Sequence, residues 1–194
     1  MINLGYKIIN NAISIVRNIV NDYVKPGFIA LDCTIGNGND TLLLRKSVGD
    51  SGKVYGFDIQ EIAIKNTSKL LYKHKLDNRV ILINDSHEHI DKYISEQLDI
   101  IIYNLGYLPK GDKSIKTKPK STLESIYKSL QLLKENGIIL ITSYIGHEGG
   151  LLEKQALENF LLQLDQTRFN VLKHEFINQK NNPPILYIIE KSAN

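Results

Sequence analysis

Two aspartates, each closing an apolar run, mark where this chain can hold a ligand. Asp32 ends Ile29-Ala30-Leu31-Asp32, and Asp58 ends Val54-Tyr55-Gly56-Phe57-Asp58. Between them lies Cys33-Thr34-Ile35-Gly36-Asn37-Gly38-Asn39-Asp40-Thr41, and an amphipathic stretch runs on from Leu42 to Val48. That order is strand, tight turn, helix. Glycines at such a turn let backbone amides approach a ligand without a Cβ in the way. A dinucleotide fingerprint needs a third glycine where Thr41 stands, and no phosphate-binding lysine follows the turn. An acid at the first strand end suits an amine or a sulfonium, and an acid one βα unit later suits a pair of ribose hydroxyls. S-adenosylmethionine has all of these groups. We assign to it Asp32, Thr34, Gly36, Asn37, Gly38, Asn39, Asp40 and Thr41 from the loop, and Asp58, Ile59 and Gln60 from the second strand end. Asp85 and Ser86 follow the third strand and flank the adenine, with His87 beside them.

The second chemical feature is Tyr103-Asn104-Leu105-Gly106-Tyr107-Leu108-Pro109 at the end of the fourth strand, where α/β sheets bind their ligands. Methyl transfer from a sulfonium is an in-line displacement, which needs a lone pair aimed at the methyl carbon. An amine offers that lone pair only when neutral. The Asn104 carbonyl can hold the amine hydrogens, and Asn104 also borders the cofactor. Tyr107 can stack on a base, and Leu105 and Gly106 contact the acceptor. Asn104-Leu105-Gly106-Tyr107 resembles the Asn-Pro-Pro-Tyr motif of amino-group methyltransferases, with Leu-Gly in place of Pro-Pro. After the fifth strand comes Tyr144-Ile145-Gly146-His147-Glu148-Gly149-Gly150. Tyr144, Gly146 and Gly149 are expected against substrate, and His147 as substrate contact or proton acceptor. Lys110, Lys113, Lys116 and Lys118 form a cationic loop suited to nucleic-acid phosphates. His87 and His89 have no third ligand at a suitable spacing, so no metal is expected.

The elements that must position these residues alternate. Leu4, Ile8, Ala12, Ile15, Ile19 and Tyr23 have helical spacing, ended by Pro26-Gly27. Strands are predicted over 28–33, 54–58, 80–84, 98–104 and 138–144, then over 169–178 and 185–190. Helices are predicted over 61–74, over 121–135 from a Ser121-to-Glu124 capping box, and over 151–164. The first five strands argue a parallel sheet and the last pair an antiparallel edge. The expected fold is α/β: a Rossmann-like class I methyltransferase with a seven-stranded, mostly parallel sheet, an antiparallel last strand and helices on both faces. A chain of 194 residues with 42% hydrophobic content suits one domain, with residues 1–25 as a helix packed on it. A net charge of +3 permits an anionic partner without demanding one. A single cysteine, Cys33, rules out an internal disulfide and suits a reducing cytoplasm. Neither a membrane span nor a signal peptide is apparent.

Taken together, Asp32-x-Thr34-x-Gly36-Asn37-Gly38-x-Asp40-Thr41, Phe57-Asp58-Ile59-Gln60, Asn104-Leu105-Gly106-Tyr107-Leu108-Pro109-x-Gly111-Asp112 and Gly146-His147-x-Gly149-Gly150 resemble the YtqB-type rRNA methylase family over nearly the whole chain. That resemblance implies a homodimeric, S-adenosylmethionine-dependent tRNA methyltransferase. Its substrate is the anticodon stem-loop, where it converts the 5-aminomethyl group of a wobble 2-thiouridine to 5-methylaminomethyl. Three alternatives stay open on the residues alone. They are a methyltransferase for rRNA or for a small-molecule amine, a non-catalytic SAM- or RNA-binding module, and a dinucleotide oxidoreductase, against which Thr41 counts.

Overall fold

The computed structural model describes residues 10–106, 116–146 and 149–193. In chain order the elements are α1 (Ala12–Tyr23), β1 (Ile29–Asp32), α2 (Asn39–Val48), β2 (Lys53–Phe57), α3 (Glu61–Lys73), β3 (Val80–Ile83), a 3₁₀ segment His87–Lys92, β4 (Leu98–Leu105), α4 (Pro119–Leu132), β5 (Leu133–Ser143), α5 (Gly150–Leu161), β6 (Phe169–His174) and β7 (Ile185–Lys191). The strands form one sheet in the order β3-β2-β1-β4-β5-β7-β6. The first five pair in parallel, and β7 runs antiparallel to both β5 and β6. The order reverses between β1 and β4, so Asp32 and Asn104 end neighbouring strands at the switch point.

The central strands are apolar at successive positions because helices cover both faces. On one face Leu31, Ile101, Tyr103, Ile139 and Ile141 pack with Ile126 and Leu130 of α4 and Leu157 of α5. On the other, Ala30, Ile100, Ile102 and Leu140 pack with Val16 and Val20 of α1 and Leu44 and Val48 of α2. Ile100 and Ile101 thus face opposite layers, and both are fully buried. Truncating Ile101 to alanine is expected to cost about 2–5 kcal/mol of stability.

Two expectations change in detail, and two features were not foreseen. The Ser121 capping box is not used. Helix α4 starts at Pro119, whose fixed φ suits a first helical position, and Lys118 is its N-cap. Ser121 sits inside the first turn, its hydroxyl donating to the Lys118 carbonyl. Helix α4 also stops at Leu132, earlier than Glu135. Leu133 already pairs with Leu98, and the register then jumps within β5 so that Ile138 faces Ile100, the irregular stretch containing Asn136 at φ 59°. The His87–Lys92 segment was not anticipated. The last strand in sequence, β7, lies inside the sheet, and β6 is the edge. The expected helix over Leu4 and Ile8 falls outside the described residues. No helix among the described residues is long and apolar enough to cross a membrane.

Candidate active site

A cleft of about 570 Å3 opens at the carboxyl ends of the parallel strands, within the ~300–1,000 Å3 range of cofactor pockets. Its first half is made largely of backbone. Asp58 Oδ2 accepts the Gly36 amide and Asp58 Oδ1 the Gln60 amide, each at 2.9 Å. Burial pushes the Asp58 carboxyl up, and these two amides draw it back down. Each oxygen keeps a further lone pair, which matches the two adjacent hydroxyls of a ribose. Gly36, Asn37, Asp58, Ile59 and Gln60 all line the cleft, as do Thr34 and Asn39.

Asp32 does not. It is fully buried, accepting the Thr34 amide at 3.1 Å and the Thr41 hydroxyl at 2.6 Å. Burial, and then the charge of Asp40, push its carboxyl up. Asp32 and Thr41 therefore form a buried brace beneath the loop; neither lines the cleft, where both were expected. Gly38 is also behind the cleft. It caps α2 at φ 76°, and a Cβ there would stand 2.4 Å from Thr67 Oγ1 of α3. Gly38 thus carries the close helix approach for which a third glycine had been sought at position 41.

Asp85, Ser86 and His87, expected beside the adenine, all line the cleft. Asp85 accepts from Ser86 N, from Tyr93 and at His89 Nδ1; its bond with His89 is the main reason its carboxyl lies below the usual range. The His87 ring packs edge-on against Tyr103 with centroids 5.9 Å apart. Its burial lowers its pKa to about 4, so it is neutral. Cys33 is buried at the floor, and burial pushes its thiol up; it is no nucleophile.

The second half of the cleft lies around the end of β4, the start of α2 and the segments that follow β4 and β5. The Asn104 amide N–H donates to Thr34 Oγ1 at 2.7 Å, and its side-chain Nδ2 donates to Asp40 Oδ2 at 2.7 Å. Asn104, Asp40, Gly106, Lys116, Tyr144 and Gly146 line this half. Gly106 has φ 155°, a conformation open in practice only to glycine. The Thr117 amide donates to the Gly106 carbonyl at 2.9 Å. Leu105 is buried in the core and Lys118 is exposed at the α4 N-cap, so neither lines the cleft. Gly149 caps α5; the Lys116 ammonium lies 4.0 Å from where its Cβ would be. Tyr107, Lys110, Lys113 and His147 lie outside the described residues.

Sequence reasoning missed several lining groups: Ile13 of α1, Thr117 and Ser121, and Asn182 and Pro184 between β6 and β7. The last two had a signal. Antiparallel β7 pairs Ile185 with Ser143, so the chain just before it must arrive at the cleft edge. Buried Glu153 fastens this side, accepting the Thr117 and Thr122 hydroxyls at 2.7 Å each. It ties the start of α5 to the segments that follow β4.

Comparison with known proteins gives the family. The family described as "Putative rRNA methylase" matches residues 54–190. A chloroplastic tRNA (mnm5s2U34)-methyltransferase of Arabidopsis thaliana is 33% identical over 190 residues, spanning 93% of this chain and 69% of that protein. The structure of an rRNA-methylase-titled protein from Clostridium thermocellum superposes with a TM-score of 0.91 at 45% identity, covering 93% of this chain and 97% of that one. SMU.1697c from Streptococcus mutans, solved in complex with SAH, gives 0.85 at 38% identity, covering 93% and 98%. The chain is a methyltransferase and belongs to the rRNA methylase family.

Proposed function

We propose that this methyltransferase transfers the methyl group of S-adenosylmethionine to the 5-aminomethyl nitrogen of a wobble 2-thiouridine in tRNA, in the cytoplasm. The cofactor supplies an electrophilic methyl on a sulfonium. Residues of the first half fit it: Asp58 offers acceptors for the ribose, and Ser86 and His87 border the adenine end. The single observation that carries the acceptor assignment is the Asn104 amide, fixed at the end of β4 inside the cleft. The Arabidopsis relative, named for this reaction, supports the choice of nucleoside.

With the cofactor bound, a neutral amine would take the methyl, its lone pair replacing the carbon–sulfur bond whose electrons stay on sulfur, and the resulting ammonium would release its proton to solvent. The work of the protein is orientation rather than strong acid–base chemistry. The Asn104 carbonyl takes an amine N–H and so turns the lone pair to the methyl. Tyr107 and Tyr144 offer faces and hydroxyls to the base, and burial followed by the Asp40 charge keeps the Tyr144 phenol protonated. His147 contacts the acceptor. Lys116 and Lys118, with Lys110 and Lys113, grip phosphates of the anticodon stem-loop without reading sequence.

The family description favours a second reading, an rRNA base. Nucleoside mass spectrometry of tRNA and rRNA from a deletion strain separates the two. Loss of 5-methylaminomethyl-2-thiouridine with accumulation of 5-aminomethyl-2-thiouridine supports the tRNA assignment. Intact tRNA nucleosides with a methyl missing from rRNA support the other.

A further inference from the structure

Asparagine has a donor pole and an acceptor pole, and its terminal torsion leaves both orientations accessible. An amide that is to accept from an amine must be held one way round. The carboxylate of Asp40 is an acceptor only, so the Asn104 atom 2.7 Å from Asp40 Oδ2 is the amide nitrogen. The flipped amide would set its oxygen against that carboxylate. Both partners are themselves fixed. Asp40 is in the first turn of α2, which the amide of Leu42 closes on the Gly38 carbonyl at 2.9 Å; burial pushes the Asp40 carboxyl up, and the hydrogen bond from Asn104 and then the charge of Arg17 partly offset this by favouring the carboxylate. The backbone of Asn104 is held by Thr34.

We propose that Asp40, assigned above with the cofactor loop, is a positioning residue for methyl transfer: by accepting from Asn104 Nδ2 it commits Asn104 Oδ1 to the acceptor amine. This rests on the amine-holding role of Asn104. Asp40 then acts on the transfer step and not on cofactor affinity.

The test is a double-mutant cycle on tRNA bearing 5-aminomethyl-2-thiouridine, with SAM affinity measured by calorimetry on each variant. Asp40→Leu, which keeps bulk and removes the acceptor, should lower kcat by about 10- to 100-fold with little change in SAM affinity. Asp40→Asn still offers a carbonyl to Asn104 and should lose less than about threefold. In an Asn104→Ala background, Asp40→Leu should cost less than about twofold. Where Asp40→Leu does not fold, the exchanged pair carries the test. Asn104→Asp sets two carboxylates face to face and should be slow, and adding Asp40→Asn should restore at least about tenfold. Three results overturn the inference: equal loss from Asp40→Leu in both backgrounds, Asp40→Asn as slow as Asp40→Leu, or SAM affinity falling in step with kcat. A wild-type rate in Asn104→Ala sinks the amine-holding role itself, a different failure.

Discussion

The two halves of the cleft are built from different materials. The half expected to take the cofactor stands on a strand end and backbone amides, with Gly36 N and Gln60 N fixing Asp58. The half fitted to the acceptor stands on side chains, Asn104 on Asp40 and Glu153 on Thr117 and Thr122. Backbone donors survive most substitutions, whereas side-chain partners are lost with one. The contrast suits a fold that keeps one cofactor while its acceptor varies by loop replacement.

Substitutions can break that contrast, and the largest effect is expected on the acceptor side. Asn104→Ala should lower kcat on the order of 100-fold, as misplacement of a reacting group does, while SAM affinity stays near wild type. Single-turnover kinetics with calorimetry decide it, and a parallel loss of SAM affinity would merge the two halves.

Next comes the buried imidazole at the adenine end. His87 has its folded pKa lowered by burial to about 4, so the unfolded chain takes up the proton first. Its contribution is complete above an ordinary histidine pKa of about 6.5 and is lost as pH falls towards about 4, by up to about 3 kcal/mol. His87→Phe keeps the packing on Tyr103 and cannot titrate. Between pH 7 and 4.5 its melting temperature should fall less than that of wild type; equal slopes would mean that His87 is not held neutral.

Asp58→Ala should weaken SAM by about 1–3 kcal/mol, the loss of charge-assisted hydrogen bonds, and unchanged affinity in calorimetry would remove the ribose assignment. The smallest effect belongs to the rim. Replacing Lys116 and Lys118 by alanine should flatten the salt dependence of tRNA binding by roughly one to two units, alike for all cognate tRNAs. SAM binding should not change. An unaltered slope would make these lysines a solvated face.

Much of the fold was legible because burial writes itself into the chain. Ile100-Ile101-Ile102 is continuous because both faces of β4 are covered, and the polar residue that ends each run marks the ligand edge. What a strand-end acid does was not legible. Asp32 and Asp58 both close an apolar run, yet Asp32 pairs with Gly56, so Asp58 stands two residues farther on; one is buried under Thr41 and the other faces the cleft. Residue type cannot tell a brace from a ligand. Thr41 stood out as a missing glycine, when the close contact between helices belongs to Gly38. Asn182 and Pro184 reach the cleft because β7 inserts between β5 and β6, a long-range pairing that the local pattern around them does not carry.

The central claim is that an amine held by Asn104 is the methyl acceptor. Purified protein, SAM and tRNA carrying 5-aminomethyl-2-thiouridine, followed by nucleoside mass spectrometry, test it most directly. The expected result is time-dependent conversion to 5-methylaminomethyl-2-thiouridine, with none on tRNA whose wobble uridine lacks the aminomethyl group. Absence of that product, or an equal methyl count on tRNA lacking the amine, would contradict the claim.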